Sequence, residues 1–422
     1  MGQVMNSRQI YVSIVLGDEC LLAGTLWCHN RKGRESATFE YASSWVAQPE
    51  RFALEPALKL SEGVFHTQPD QIIFGAIGDS APDRWGRVLM RRNETARAKA
   101  SSETPRTLTE IDYLLGVNDE TRQGALRFSE KPEGPYLAPK NRNSVPPLVD
   151  LPKLLSASER FIDDDETAED LRLLLVPGSS LGGARPKASV RDQDGTLAIA
   201  KFPRRDDEYE VVVWEAIALT LAYRGGIQVP QFRLEKIAEK PVLIINRFDR
   251  SGENRVPFLS AMSMLGAKDN EQRSYLEIAY ALAQHGAQPN HDMEELWRRI
   301  VFTVLISNTD DHLRNHAFIY ERHKGWRLSP VYDANPTPTE IKPRILSTSI
   351  TFDDPTASLD AALSVAKDFR IEAARAKEIV KEVADSVREW RAIASQYGIS
   401  NKEIDRMASA FEHQDSDAAL NK

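Results

Sequence analysis

Strand-like alternation dominates several stretches of this chain up to about residue 253 and helical periodicity dominates beyond it, and that shift limits the folds open to it. Over residues 9–40 apolar and polar side chains alternate, so IYVSIVLGDECLLAGTLWC predicts two strands joined at Gly17-Asp18-Glu19. Alternation returns in RPKASVRDQDGTLAIAKF, residues 185–202, which predicts a hairpin turning at Asp192–Gly195. A helix over Tyr209–Tyr223 and strands near Gln231–Leu234 and Val242–Asn246 follow. Beyond about residue 253 the pattern is mostly helical. Leu296, Ile300 and Val304 share one face leading to Ser307, and Val380, Val383, Val387 and Trp390 share the face of a long late helix. Earlier helices are expected over 80–98, with Pro82 near the start, at Leu108–Leu115 and at Glu166–Leu175. Residues 131–147, with five prolines, read as a linker, and residues after about 412 as a polar, frayed end. A sheet-rich part before a helical part predicts an α+β fold. Three divisions are expected: 1–148, β-rich with helices; 149–252, a small sheet-containing part; and 253–422, a helical part.

Several functions are disfavoured by composition. The net charge of −8 argues against direct binding of nucleic acid by the whole molecule, because that affinity comes from Lys and Arg. No apolar run approaches the roughly 18–20 residues that span a bilayer, and MGQVMNSRQI lacks the pattern of a signal peptide. A cytoplasmic protein without a membrane partner is the expectation. Cys20 and Cys28 have no His or Cys cluster around them, so buried free thiols are expected rather than a zinc site.

Chemistry concentrates in LISNTDDHLRNHAFIY, residues 305–320. Asp310 and Asn315 stand at a D-x₄-N spacing, the interval at which protein kinases set a catalytic Asp and a metal-binding Asn on one loop. The carboxylate can orient an attacking hydroxyl while the amide oxygen reaches Mg²⁺. HAFIYERHKGWRLSPVYD then predicts a hairpin, strands 317–321 and 326–331 about a turn at Arg322–Gly325, which returns the chain to Asp333. Capping of helices and turns by Asp310, Asp311 and Asp333 is the plain alternative. Upstream, VPGSSLGGARPKASV (176–190) offers Gly178, Gly182 and Gly183, which let backbone N–H groups approach phosphate oxygens, although the Walker A ending is absent. A surface turn is the other reading. Lys201 ends a strand, either as an edge residue or as a phosphate ligand paired with Glu215, or less plausibly Glu210, on the next helix. LIINRFDR (243–250) is either a plain strand end or a hinge whose backbone near Asn246 and Phe248 meets an adenine. Taken in chain order, these pieces match what a nucleotide-dependent kinase requires.

With those residues in view, the chain resembles the HipA family of bacterial toxin–antitoxin kinases. The resemblance is carried by FGAIGDSAPDRWGRVLM (74–90), SLGGARPK (180–187), IAKFP (199–203), WEAIALTLAYRGGIQVP (214–230), NRFDR (246–250), TDDHLRN (309–315) and SPVYD (329–333). It implies a bilobal, protein-kinase-like fold with an N-terminal β-rich subdomain, using ATP and Mg²⁺. By resemblance Asp310, which has both the T-D-x-H match and the D-x₄-N spacing, is the catalytic base, and Asn315 and Asp333 hold Mg²⁺. His312, Leu313, Arg314, Asn315, Tyr332 and Asp333 lie against the nucleotide. Gly182, Gly183, Ala184, Arg185, Pro186 and Lys187 form the phosphate loop, and Lys201 binds phosphate. Asn246, Arg247 and Phe248 form the adenine hinge, and Asp249 reaches the ribose. Ser180, next to Ser179, matches an autophosphorylated serine; its phosphate would add about −1.5 to −2 charges and repel ATP. The implied partners are a HipB-like helix-turn-helix antitoxin, DNA only through it, and a protein substrate such as glutamyl-tRNA synthetase. Departures are Arg185-Pro186 where some members carry Gln-Glu, Asn246 where others carry Glu, and the Pro-rich stretch 131–147.

Other classes compete. A catalytically weak co-repressor of the same fold would bridge an antitoxin on DNA. A metal-dependent phosphohydrolase would use Asp310, Asp311, His312 and Asp333, but leaves the glycine loop and Lys201 without a role. A lipid or small-molecule kinase shares the loop chemistry.

Overall fold

The computed structural model describes residues 6–31, 33–132, 134–137, 145–178 and 183–421. The chain divides into two compact units. One comprises Met1–Arg205, Lys236–Lys240 and Ile244–Leu259; the other comprises Asp206–Glu235, Pro241–Leu243 and Ser260–Lys422.

In the first unit, β1 (Asn6–Leu16), β2 (Glu19–Arg31), β3 (Arg34–Tyr41), β4 (Val64–His66) and β5 (Leu126–Ser129) form one antiparallel sheet, in the order β4-β3-β2-β1-β5. The first turn falls where the alternation breaks: Leu16 pairs with Glu19, and Gly17 takes a φ of 61°. Alternation buries Ile10, Val12 and Ile14 with Leu26 and Phe39. Gly24 has no room for a side chain, since a Cβ there would stand 2.3 Å from the Glu40 carbonyl oxygen and 2.5 Å from the Phe39 ring. Cys20 is exposed rather than buried, because it lies beside the turn, with its Sγ 2.9 Å from the Tyr136 hydroxyl; Cys28 is half-buried. Helix Arg84–Ala100 begins later than the sequence suggests. Asp83, following Pro82, caps it by accepting from the Arg84 N–H at 2.7 Å. Trp85 of this helix donates Nε1–H to the Lys187 carbonyl at 2.9 Å and meets Phe161 edge-on at 5.1 Å. That joins it to β6 (Lys187–Arg191), which pairs with β7 (Leu197–Lys201) as the expected hairpin.

The second unit is mainly helical. Helix Val211–Arg224 buries ten of its fourteen residues, while Tyr223 and Arg224 at its end are exposed. Its Trp214 packs against Trp390 and Phe411, which stack on each other at 4.5 Å, an aromatic cluster worth roughly 0.5–1.5 kcal/mol per pair beyond area burial. Helix Pro289–Leu305 lies in the core through Leu296, Trp297, Ile300, Val301 and Val304, so the predicted face is the buried one. The late helix is two: Ala373–Arg388 ends before Glu389, and Trp390 opens Trp390–Gln396. After 412 the chain is not frayed. His413 caps a last helix, Gln414–Leu420, with Ala419 buried. The hairpin after residue 316 pairs Ala317–Glu321 with Gly325–Leu328.

Candidate active site

Within the second unit, helix Pro289–Leu305 ends and the chain turns sharply at Ser307, whose φ is 50°. The loop that follows carries two adjacent carboxylates in opposite environments. Asp310 is exposed, with 72% of its side chain open to solvent, and Lys342 Nζ lies 3.6 Å from its Oδ1. Asp311 is 5% exposed. Its Oδ2 accepts from the Tyr275 hydroxyl and lies 3.1 Å from His316 Nε2. Burial alone raises the Asp311 carboxyl, but the imidazole of His316 and the two hydrogen bonds more than offset it, leaving the group below the usual carboxylate range. The same burial, followed by the Asp311 charge, pushes the Tyr275 hydroxyl well above its ordinary value.

The Asp310–Asn315 spacing closes on itself. Asn315 Nδ2 donates to the Asp310 carbonyl at 3.1 Å, His312 N–H donates to the same oxygen at 2.9 Å, and Asn315 N–H donates to the His312 carbonyl at 2.8 Å. His312 is exposed and Leu313 is buried. Arg314 pairs with Asp269, and its carbonyl accepts from the Tyr332 hydroxyl at 2.6 Å. Asp333 follows with φ 59°, a left-handed conformation uncommon outside glycine and tolerated by Asp. Asn335 Nδ2 donates to its carbonyl and to its Oδ1, at 3.1 and 3.3 Å, while Asn335 N–H donates to Asn308 Oδ1. Tyr332 and Asp333 are thus tied to the segment bearing Asp310 and Asn315.

In the first unit, β6 sets Lys187 directly opposite Lys201 of β7, so both lysines share a face of the hairpin. Lys187 is buried and Lys201 half-buried. Gly183 has φ 81°, and a Cβ on it would come within 2.7 Å of Lys187 Nζ, so a larger residue would crowd the ammonium. Its N–H donates to Asp83 Oδ2 at 2.6 Å. Ala184 is exposed, Arg185 half-buried, and Pro186 accepts from Phe202 N–H at 3.0 Å. Ser179, Ser180 and Gly182 lie outside the described residues. At the end of strand Lys240–Asn246, Arg247 N–H donates to the Leu197 carbonyl at 3.0 Å, and Phe248 stacks on Phe258.

Asp249 is occupied structurally. Its Oδ2 accepts from Arg247 Nη2, Arg250 Nη1 and Gly124 N–H and its Oδ1 from Arg247 Nε, at 2.6–2.9 Å, which leaves Oδ1 one further acceptor position. The guanidinium groups of Arg247 and Arg250 also donate to the carbonyls of Glu120, Thr121 and Arg122. Arg122 itself is fully buried, gives its hydrogen bonds to Ser80, Leu114 and Val117 carbonyls, and is pushed down to about 9 by burial. Glu215 is buried on helix Val211–Arg224.

Neither Lys342 nor the Tyr275–Asp311–His316 cluster is evident from sequence. Tyr275 is 36 residues before Asp311 and Lys342 is 32 after Asp310, with no shared periodicity to mark them. Among the described residues no group of three or more His, Cys, Asp or Glu side chains is arranged for a metal. Asn315 and Asp333 supply one amide and one carboxylate oxygen, hard donors that suit Mg²⁺ when phosphates and waters complete the shell. No helix among the described residues is long and apolar enough to cross a membrane.

The family described as HipA-like C-terminal domain matches residues 179–391. A protein of Haemophilus influenzae named "Putative kinase" is 26% identical over 181 residues, 37% of this chain and 52% of that protein. "Putative kinase Y4dM" of Sinorhizobium fredii is 30% identical over 134 residues, 28% of this chain and 32% of that protein. The chain therefore matches about half of the first relative's length and a third of the second's. A solved chain of the Shewanella oneidensis HipA, HipB and operator DNA complex has a TM-score of 0.61 at 16% identity, covering 97% of this chain and 96% of that one. At that identity the likeness is one of fold: mixed α and β, of the HipA type. With half of its length matched by the family's own domain, the chain belongs to the HipA-like family.

Proposed function

We propose that this chain is an ATP- and Mg²⁺-dependent protein serine/threonine kinase of a toxin–antitoxin module. The observation that carries the reading is the loop from Asp310 to Asn315. It leaves one carboxylate in solvent, fixes one amide by a hydrogen bond to that residue's own carbonyl, and is tied through Tyr332 and Asn335 to a left-handed Asp333. Asp310 accepts the proton of a serine or threonine hydroxyl as its oxygen bonds to the γ-phosphorus and ADP departs. Asn315 and Asp333 would hold Mg²⁺, which neutralises phosphate charge when bound. Lys187 and Lys201 bind phosphate oxygens, and backbone groups of residues 246–248 meet the adenine. Asp249 braces that segment through its bonds to Arg247, Arg250 and Gly124.

Incubating the purified protein with γ-labelled ATP, Mg²⁺ and cell lysate is expected to yield labelled phosphoserine or phosphothreonine in protein. Asp310→Asn is expected to lower that transfer by about 10²–10⁴-fold. ATP turnover with no phosphoprotein would replace this reading by a phosphohydrolase. The proposed partner is a HipB-like helix-turn-helix protein, supported by the fold shared with a complex of HipA, HipB and operator DNA. The net charge of −8 fits a chain that reaches DNA through that partner. Phosphorylation at Ser180 is proposed to switch the kinase off, and a Ser180→Ala protein is expected to keep its activity on prolonged incubation with ATP.

A further inference from the structure

The segment after Asp333 returns to the catalytic loop and is fastened on both sides of one lysine. Before it, Thr339 N–H donates to Ser409 Oγ at 3.0 Å and Glu340 pairs with Arg406 at 2.6 Å. After it, Arg344 donates to the Val304 carbonyl at 2.9 Å and to Ser307 Oγ at 3.1 Å, and pairs with Asp415 at 2.7 Å. Ser347 donates through both N–H and Oγ to the Thr309 carbonyl, and Thr348 Oγ1 donates to the Asp311 carbonyl at 2.7 Å. Between these anchors Lys342 places its Nζ 3.4 Å from the Thr309 carbonyl oxygen and 3.6 Å from Asp310 Oδ1. Among the described residues this ammonium is the one ion-pair partner of the Asp310 carboxylate.

We propose that Lys342 is a positioning residue for phosphoryl transfer, holding the Asp310 carboxylate in the rotamer that meets the substrate hydroxyl. This rests on the reading of Asp310 as the group that takes that proton. An exposed ion pair of this kind contributes little to stability, so the strength of its anchoring points to geometry. A mobile carboxylate in solvent samples several rotamers, and only one is in line with an incoming hydroxyl. A charge fixed by a braced segment selects it.

The test is a double-mutant cycle on the full chain, with Lys342→Met, Lys342→Arg, Asp310→Asn and the pair Asp310→Asn/Lys342→Met, assayed with labelled ATP and a phosphorylated target found in lysate. Lys342→Met is expected to lower kcat by about 10- to 100-fold, with KM for ATP changed by less than about threefold. Lys342→Arg is expected to recover most of the loss. In the Asp310→Asn background Lys342→Met should cost nothing further, because its partner is gone. Crystals of Lys342→Met without nucleotide or metal should show the Asp310 side chain in more than one conformer. Equal losses in both backgrounds, or a change confined to KM for ATP, would overturn the assignment while leaving the kinase reading intact. Absence of any transfer by the wild-type protein would overturn both.

Discussion

Asp311 is surrounded by donors and Asp310 by water, and the two substitutions to alanine should separate accordingly. Removing the Asp311 carboxylate leaves the Tyr275 hydroxyl and His316 Nε2 buried without their acceptor, so Asp311→Ala is expected to cost about 3–5 kcal/mol in urea unfolding. Asp310→Ala is expected to change stability by less than about 0.5–1 kcal/mol. Equal losses in the two variants would show that the loop does not discriminate between them as the burial indicates. The spacing D-x₄-N is plain in the sequence, and so is the later Asp333. Which member of the Asp310–Asp311 pair faces solvent depends on Tyr275 and His316, and the first of these is set by a helix whose start, at Ser274, precedes the loop by many residues. Local pattern marks the chemistry there but not its supports.

Among the elements, the last helix is the one that composition misleads about most. HQDSDAAL looks too polar to fold back, yet Asp415 accepts from Leu359 N–H at 2.7 Å, pairs with Arg344, and lies two residues beyond the cap at His413. A short helix so fastened needs few apolar side chains, which is why periodicity does not reveal it. The first two strands of the first sheet and the β6–β7 hairpin are clear in the sequence because alternation over several residues is a stronger signal than any single contact, whereas β4 and β5, of three and four residues, are too short to show it. The break at Glu389 was hidden because Val380, Val383, Val387 and Trp390 keep one face across it. His413 gives the last helix a pH dependence. Burial, then the nearby Arg344 charge, lowers its imidazole from 6.5 to about 4. Between those values the unfolded chain binds the extra proton, so stability is complete above pH ~6.5 and falls as pH drops toward 4. The loss should reach roughly 2 kcal/mol by pH 5. Urea unfolding at pH 7 and pH 5 checks this, and His413→Asn, which retains a capping side chain, should flatten the difference.

For the whole molecule, nucleotide binding should appear as stability. A ligand that binds only the folded chain stabilises it by about 2.7 kcal/mol at a hundred times its Kd, so ATP with Mg²⁺ is expected to raise the unfolding temperature by scanning calorimetry. Lys201→Met and Asp333→Asn should each shrink that rise; a rise undiminished in both would place the nucleotide elsewhere. The order in which the chain is synthesised carries a separate consequence. The first unit takes in residues 244–259, and Arg247 and Arg250 supply the donors for the carbonyls of Glu120, Thr121 and Arg122. A nascent chain that has passed residue 205 still lacks those guanidinium groups. At about 5–20 residues per second it waits several seconds for them. During that interval the carbonyls of Glu120, Thr121 and Arg122 have only water in place of those guanidinium groups, so a unit mostly synthesised by residue 205 is completed by residues well beyond it.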